Sequence, residues 1–142
     1  MVLANSAAPS VVVVGEDLAL SLRILELVEN AVIVVLSDVQ RTTTLRPRVE
    51  VFTPRMNAVD EIAVSYDRAY QTGIDWPPDE IGVLVTLTDY LRDFVVEDAW
   101  QAWPLCPHHG LALYPENYKD QAVWTCRKHD HTVAPIGDLP AG

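Results

Sequence analysis

The stretch "PPDEIGVLVTLTDYLRDFVVEDAW", Pro77–Trp100, decides how this chain is built. Within it Ile81, Leu84, Val85, Thr88, Leu91, Phe94, Val95 and Ala99 recur at steps of three and four, the period of one face of an α-helix. The prolines at its start cost nothing, because the first amides of a helix have no partner inside it. The pattern predicts one long helix from about Pro78 to about Trp100, which serves as the spine of the core. On its opposite side Asp89, Asp93 and Glu97 form an i, i+4, i+8 row. Three carboxylates in line suit a hard cation or acid–base chemistry. Like charges at this spacing repel and no histidine joins them, so a solvated helix surface is expected.

Upstream of this helix the patterns are shorter. Asn57 is placed to cap a second helix in which Val59, Ile62, Ala63, Tyr66, Ala69 and Tyr70 share a face, with Asp60 and Glu61 in the first turn and Gly73 past the end. "RVEVF", Arg48–Phe52, alternates polar and apolar residues between Pro47 and Pro54 and predicts a strand near a sheet edge. "DLALSLRILELVEN", Asp17–Asn30, predicts a helix with Asp17 as its cap. "AVIVVLS", Ala31–Ser37, is rich in β-branched residues; continuation of that helix and a buried strand both fit. "VVVVG", Val11–Gly15, reads as a short strand, and residues 1–9 as a loose arm that, with the valine run, suits pairing with a neighbouring subunit. A lone glycine after that strand is not the G-x-G-x-x-G of a nucleotide site, and there is no P-loop lysine.

Composition narrows the classes. The 142 residues, 49% of them apolar, suit a globular chain able to bury roughly two thirds of its unfolded surface. Twenty acidic against ten basic residues leave a formal charge of −10, which repels phosphate backbones and anionic membranes. Neither nucleic acid nor membrane is therefore an expected partner. The one basic cluster, Arg41, Arg46, Arg48 and Arg55, reads as a solvated loop or a guarded strand edge. The start, "MVLANSAAPS", lacks a charged leader region, and the apolar run after it is broken by Gly15, Glu16 and Asp17, so a cytoplasmic location with reduced thiols is expected.

Every cysteine and histidine falls between residues 106 and 131: Cys106, His108, His109, Cys126, His129 and His131. Two C-x2-H spacings repeat there, Cys106–His109 and Cys126–His129. Ligands three positions apart in a tight turn aim their donor atoms to one side, and two such turns complete a tetrahedron. "LALY", Leu111–Tyr114, and "AVWTC", Ala122–Cys126, read as strands joined by the polar turn "PENYKDQ", a hairpin that brings the two turns together. Two thiolates and two imidazoles suit Zn2+ and cancel its charge. His131 is an alternative to His129, since C-x4-H is also reachable, and His108 is an alternative or supporting group. A catalytic ion with an open position, a disulfide between the two cysteines, and loop residues gathered by coincidence are the competing readings. The first is disfavoured because no glutamate stands where H-E-x-x-H would put a base. No G-x-S-x-G or S-x-x-K is present either, and no histidine outside the cluster is left to act as a base.

Residues 104–137 resemble a zinc-ribbon knuckle pair in which histidine replaces the second cysteine of each C-x2-C turn, and are similar to carboxy-terminal tails of small uncharacterised proteins from high-GC bacteria. The resemblance implies ligands at Cys106, His109, Cys126 and His129 and brings no activity with it. The expectation is an α+β protein with a helical core, a small sheet and a C-terminal zinc-ribbon-like hairpin. It divides into a core over residues 1–103 and a knuckle hairpin and tail over 104–142. Its expected role is non-enzymatic: binding another protein or its own copies, as a subunit of a larger assembly. A zinc-dependent hydrolase of a small molecule is the alternative. Trp100, Trp103, Tyr114, Tyr118 and Trp124 offer either a contact surface or a small core.

Overall fold

The computed structural model describes residues 15–53 and 61–141. The fold is α+β. Two helices, α1 (Gly15–Thr42) and α2 (Glu80–Ala99), accompany two antiparallel three-stranded sheets. The first sheet is β1 (Val49–Phe52), β2 (Ala63–Tyr66) and β3 (Ala69–Gln71); the second is β4 (Leu113–Tyr118), β5 (Gln121–Cys126) and β6 (His131–Pro135).

The valine run that left two readings open continues the helix. In α1, Leu27, Val28, Ala31, Val32, Val35 and Val39 are buried, a stripe at helical period that runs straight through Ala31–Ser37. Intrinsic propensity disfavours valine in helices by only about half a kcal/mol per residue. Burying such a side chain against α2 is worth roughly 1.5–3 kcal/mol, so packing decides. Asp17 lies inside the described part of α1 rather than at its cap. The predicted strand at Val11–Val14 and the arm lie outside the described residues.

The α2 helix lies where its pattern predicts. Asp79 caps it, accepting a hydrogen bond from the Gly82 amide at 2.9 Å, and Trp100 ends it in the left-handed conformation. Its most buried line is Val83, Leu87, Leu91 and Val95, and Ile81, Leu84, Val85 and Phe94 pack partly buried beside it. A helix apolar over so wide an arc packs on more than one element, chiefly α1 on one side and the β4–β5 hairpin on another. Asp89, Asp93 and Glu97 are exposed, as a solvated surface requires.

The helix expected from Asn57 to Gly73 is not formed over its described part, which is the β2–β3 hairpin. The alternative pattern is compact. Ala63, Val64, Ser65 and Tyr66 are buried in succession, which a strand covered on both faces allows and a one-sided helix does not. Asp67 turns the chain at φ 55° and joins the residue before β1 twice, its amide donating to Arg48 O at 2.7 Å and its carboxylate accepting from Arg48 N at 2.9 Å. Asp tolerates this left-handed position better than most residues. The Tyr66 hydroxyl donates to Asp98 at 2.7 Å while its ring stacks on Phe94 at 5.4 Å, docking the sheet on α2.

The second sheet is tighter than predicted. Pro115–Tyr118, expected as turn, pairs with β5, and the turn shrinks to Lys119–Asp120, both at positive φ as a two-residue hairpin of the primed type demands. The strand β6 adds a third member that no alternating pattern announced. One continuous apolar cluster joins both halves of the chain, from Val28 and Val35 through Leu87 and Leu91 to Trp124, Ile136 and Leu139. Trp103 and Trp124 meet edge to face within it at 5.5 Å. Three of the four basic-cluster arginines are engaged locally: Arg41 with Asp38, Arg46 with backbone carbonyls and Arg48 beside Glu50; Arg55 lies outside the described residues. No described helix is long and apolar enough to cross a membrane.

Candidate metal centre

Three separate pieces of chain supply the centre. The first is the turn Cys106–Gly110. The Gly110 amide donates to Cys106 O, and the Cys106 amide to Leu111 O, each at 2.8 Å. Gly110 sits at φ +67°, where a side chain would strain the backbone, and Leu105 bridges Ala112 to close the loop at its base. The second piece is the end of β5 at Cys126. The third is His131, the first residue of β6.

The sheet register explains the last pairing. Cys126 is the cross-strand partner of His131. Directly opposed residues hold their Cβ atoms about 4.5–5.5 Å apart on one face, so β-pairing alone sets the sulfur beside the imidazole. The repeated C-x2-H spacing pointed to His129 as the fourth ligand, with His131 as its alternate. The structure brings His131 to the centre, and the His129 side chain lies outside the described residues.

Cys106 Sγ, His109 Nδ1, Cys126 Sγ and His131 Nε2 all lie within 4.8 Å of one another. His109 Nδ1 is 3.5 Å from Cys106 Sγ, 3.4 Å from Cys126 Sγ and 3.3 Å from His131 Nε2, and Cys106 Sγ is 3.4 Å from His131 Nε2. Hydrogen bonding does not account for this. An imidazole nitrogen carries either one proton or one lone pair, yet His109 Nδ1 faces three polar atoms at once. Four donors turned toward a common point are what a bound cation organises. Neither cysteine is in a disulfide, and both are buried. These four residues can therefore hold a metal ion. His108, the other alternate, is exposed, with its ring centroid 6.0 Å from that of His131 and 6.5 Å from that of His109.

The surroundings tie the centre to the helices. Asp38, fully buried on α1, accepts from Trp124 Nε1 at 2.8 Å, Gly137 N at 2.7 Å and Leu139 N at 3.0 Å. Arg41 reaches the same carboxylate at 3.2 Å and also donates to Gly137 O and Leu139 O. One carboxylate thus fastens β5 and the chain after β6 to α1. On the outer side, the Arg92 and Arg127 guanidinium carbons lie 4.3 and 3.9 Å from the Tyr114 ring centroid, and Arg92 Nε donates to Leu113 O at 2.9 Å. The Asp38 clamp has a faint signal in sequence, a lone acid inside the apolar run "VIVVLSDV", with nothing to name its partners.

No family model, no curated protein and no solved structure matches this chain. The ability to hold a metal ion therefore rests on the four residues themselves.

Proposed function

We propose that the chain is a non-enzymatic interaction or assembly subunit whose C-terminal sheet is held in shape by a structural zinc ion. The observation that carries this reading is the closed donor set. Zinc bonds of about 2.3 Å to sulfur and 2.0–2.1 Å to nitrogen give tetrahedral S–N edges of about 3.5 Å and an N–N edge of about 3.4 Å. The four donor pairs at 3.3–3.5 Å agree with those edges, and all the donors lie within 4.8 Å of one another. Two thiolates neutralise a divalent ion, which makes burial of the sulfurs tolerable.

Two competing chemistries fit less well. A hydrolytic zinc keeps three protein ligands and one open position, whereas four side chains converge here. A two-iron cluster with this ligand count places both cysteines on one iron and both histidines on the other. Here His109 Nδ1 lies as near to both sulfurs as to His131 Nε2, an intermingled set suited to a single ion.

The interaction role is supported by Trp100. This tryptophan is 92% exposed and holds the left-handed conformation at the end of α2, where glycine is usual. A strained, solvent-facing aromatic is a typical anchor for a partner surface. Native mass spectrometry of the untagged chain, with and without a chelator, tests the proposal. One zinc per chain, lost together with the compact charge-state distribution, supports it. A folded chain free of metal refutes it. Sedimentation of the wild type against Trp100→Ala, alone and with any partner recovered, tests the contact surface.

A further inference from the structure

We propose that His108 is the loading ligand of this centre, taking a divalent cation from solvent and passing it to the inner donors, and acting again when the ion leaves. The inference rests on the metal reading above and adds a route to it.

The centre has an inside and an outside. Cys106 and Cys126 are 2% and 0% exposed, while His109 and His131 are half-buried, so an ion reaches the sulfurs past the imidazoles. His108 stands on that side and is exposed. Two imidazoles that share one tetrahedral ion have ring centres about 5 Å apart. The His109 and His131 rings are 5.1 Å apart, which matches co-ligation. His108 lies just beyond, at 6.0 Å from His131 and 6.5 Å from His109. That is too far for a resident ligand and within one side-chain rotation of sharing an ion with His131.

The local backbone permits this without rearrangement. Both hydrogen bonds that close the turn are made by residues flanking the Pro107-His108 pair, so His108 can swing while the turn holds. A zinc ion must exchange its waters before it enters a buried site, and an exposed imidazole does the first exchange in solvent. An ion held there is presented to the remaining donors at high effective concentration.

Stopped-flow kinetics on the full chain tests the proposal. Zn2+ is mixed with apo protein to read loading, and holo protein is mixed with excess chromogenic chelator to read release. His108→Ala should slow both rates severalfold and leave their ratio, the affinity, unchanged. Unaltered rates would overturn the proposal. So would weaker affinity with unaltered loading, which would make His108 a resident ligand. A wild-type chain that takes up no zinc removes the metal reading itself, and that result is read before any variant is made.

Discussion

Trp124 Nε1 donates to the Asp38 carboxylate across 2.8 Å, joining the strand that ends in Cys126 to the C-terminal part of α1. The link spans 86 residues of chain and is wholly buried. The candidate metal centre and the helical core are therefore mechanically one body at this point.

Asp38→Ala should be the most damaging single change outside the donor set. It leaves the Trp124 indole and the Gly137 and Leu139 amides without their acceptor, and Arg41 without its counter-charge. Removing one partner from a buried charged network costs about 3–5 kcal/mol. Urea denaturation of the zinc-loaded chain measures this. A loss under about 1 kcal/mol would mean that water replaces the clamp.

His131→Ala should lose stoichiometric zinc, and His129→Ala, prepared in parallel, should keep it. Cobalt substitution gives the same comparison a spectrum, since tetrahedral S2N2 coordination produces intense visible absorption with thiolate charge transfer. Retention by His131→Ala together with loss by His129→Ala would exchange the two assignments. Folding and binding are linked, so chelation of the wild type should lower its melting temperature, by an amount equivalent to about 4 kcal/mol when free zinc had stood at a thousandfold over Kd.

Gly137→Ala should destabilise through the backbone. Gly137 has φ +104°, and an added Cβ would stand 2.7 Å from Val34 Cγ1 on α1. The conformation alone costs a non-glycine residue about 1–3 kcal/mol. Thermal unfolding checks it, with the exposed Gly73→Ala at φ +71° and no neighbour within 4 Å as the control that isolates backbone strain from collision.

Tyr66 gives the fold an alkaline limb. Burial first, then its hydrogen bond to Asp98, raises its phenol well above the ordinary value of 10.0. A group whose folded pKa is raised contributes stability that is complete below its unfolded pKa and is lost as pH climbs toward the folded one. Stability should consequently fall above about pH 10. Tyr66→Phe should cost about 1 kcal/mol at neutral pH through the lost hydrogen bond and should flatten that fall. Denaturation curves from pH 8 to 11 compare the two proteins, and parallel slopes would assign the alkaline loss to other groups.

Much of this architecture was legible in the residues. The period of Ile81–Ala99 specified α2, the alternation of Arg48–Phe52 specified β1, and the crowding of cysteine and histidine into residues 106–131 pointed to a metal. Each is a local pattern, in which the residues that signal an element also build it. The remainder depended on partners distant in the chain. Val32 and Val35 are helical because α2 and the tail bury them, a contact no window of sequence contains. Ile62, Ala63, Val64 and Tyr66 also suit a strand buried on both faces, and the sheet formed because β1 was there to accept it. The repeated C-x2-H spacing favoured His129 and left His131 as the alternate. Pairing of β6 with β5, with a shift of register between Trp124 and Thr125, set His131 opposite Cys126. Sequence determined which donor atoms were available, and the hydrogen-bonded register of the sheet decided which of them meet, because a shift of one residue along a strand turns every side chain to the other face.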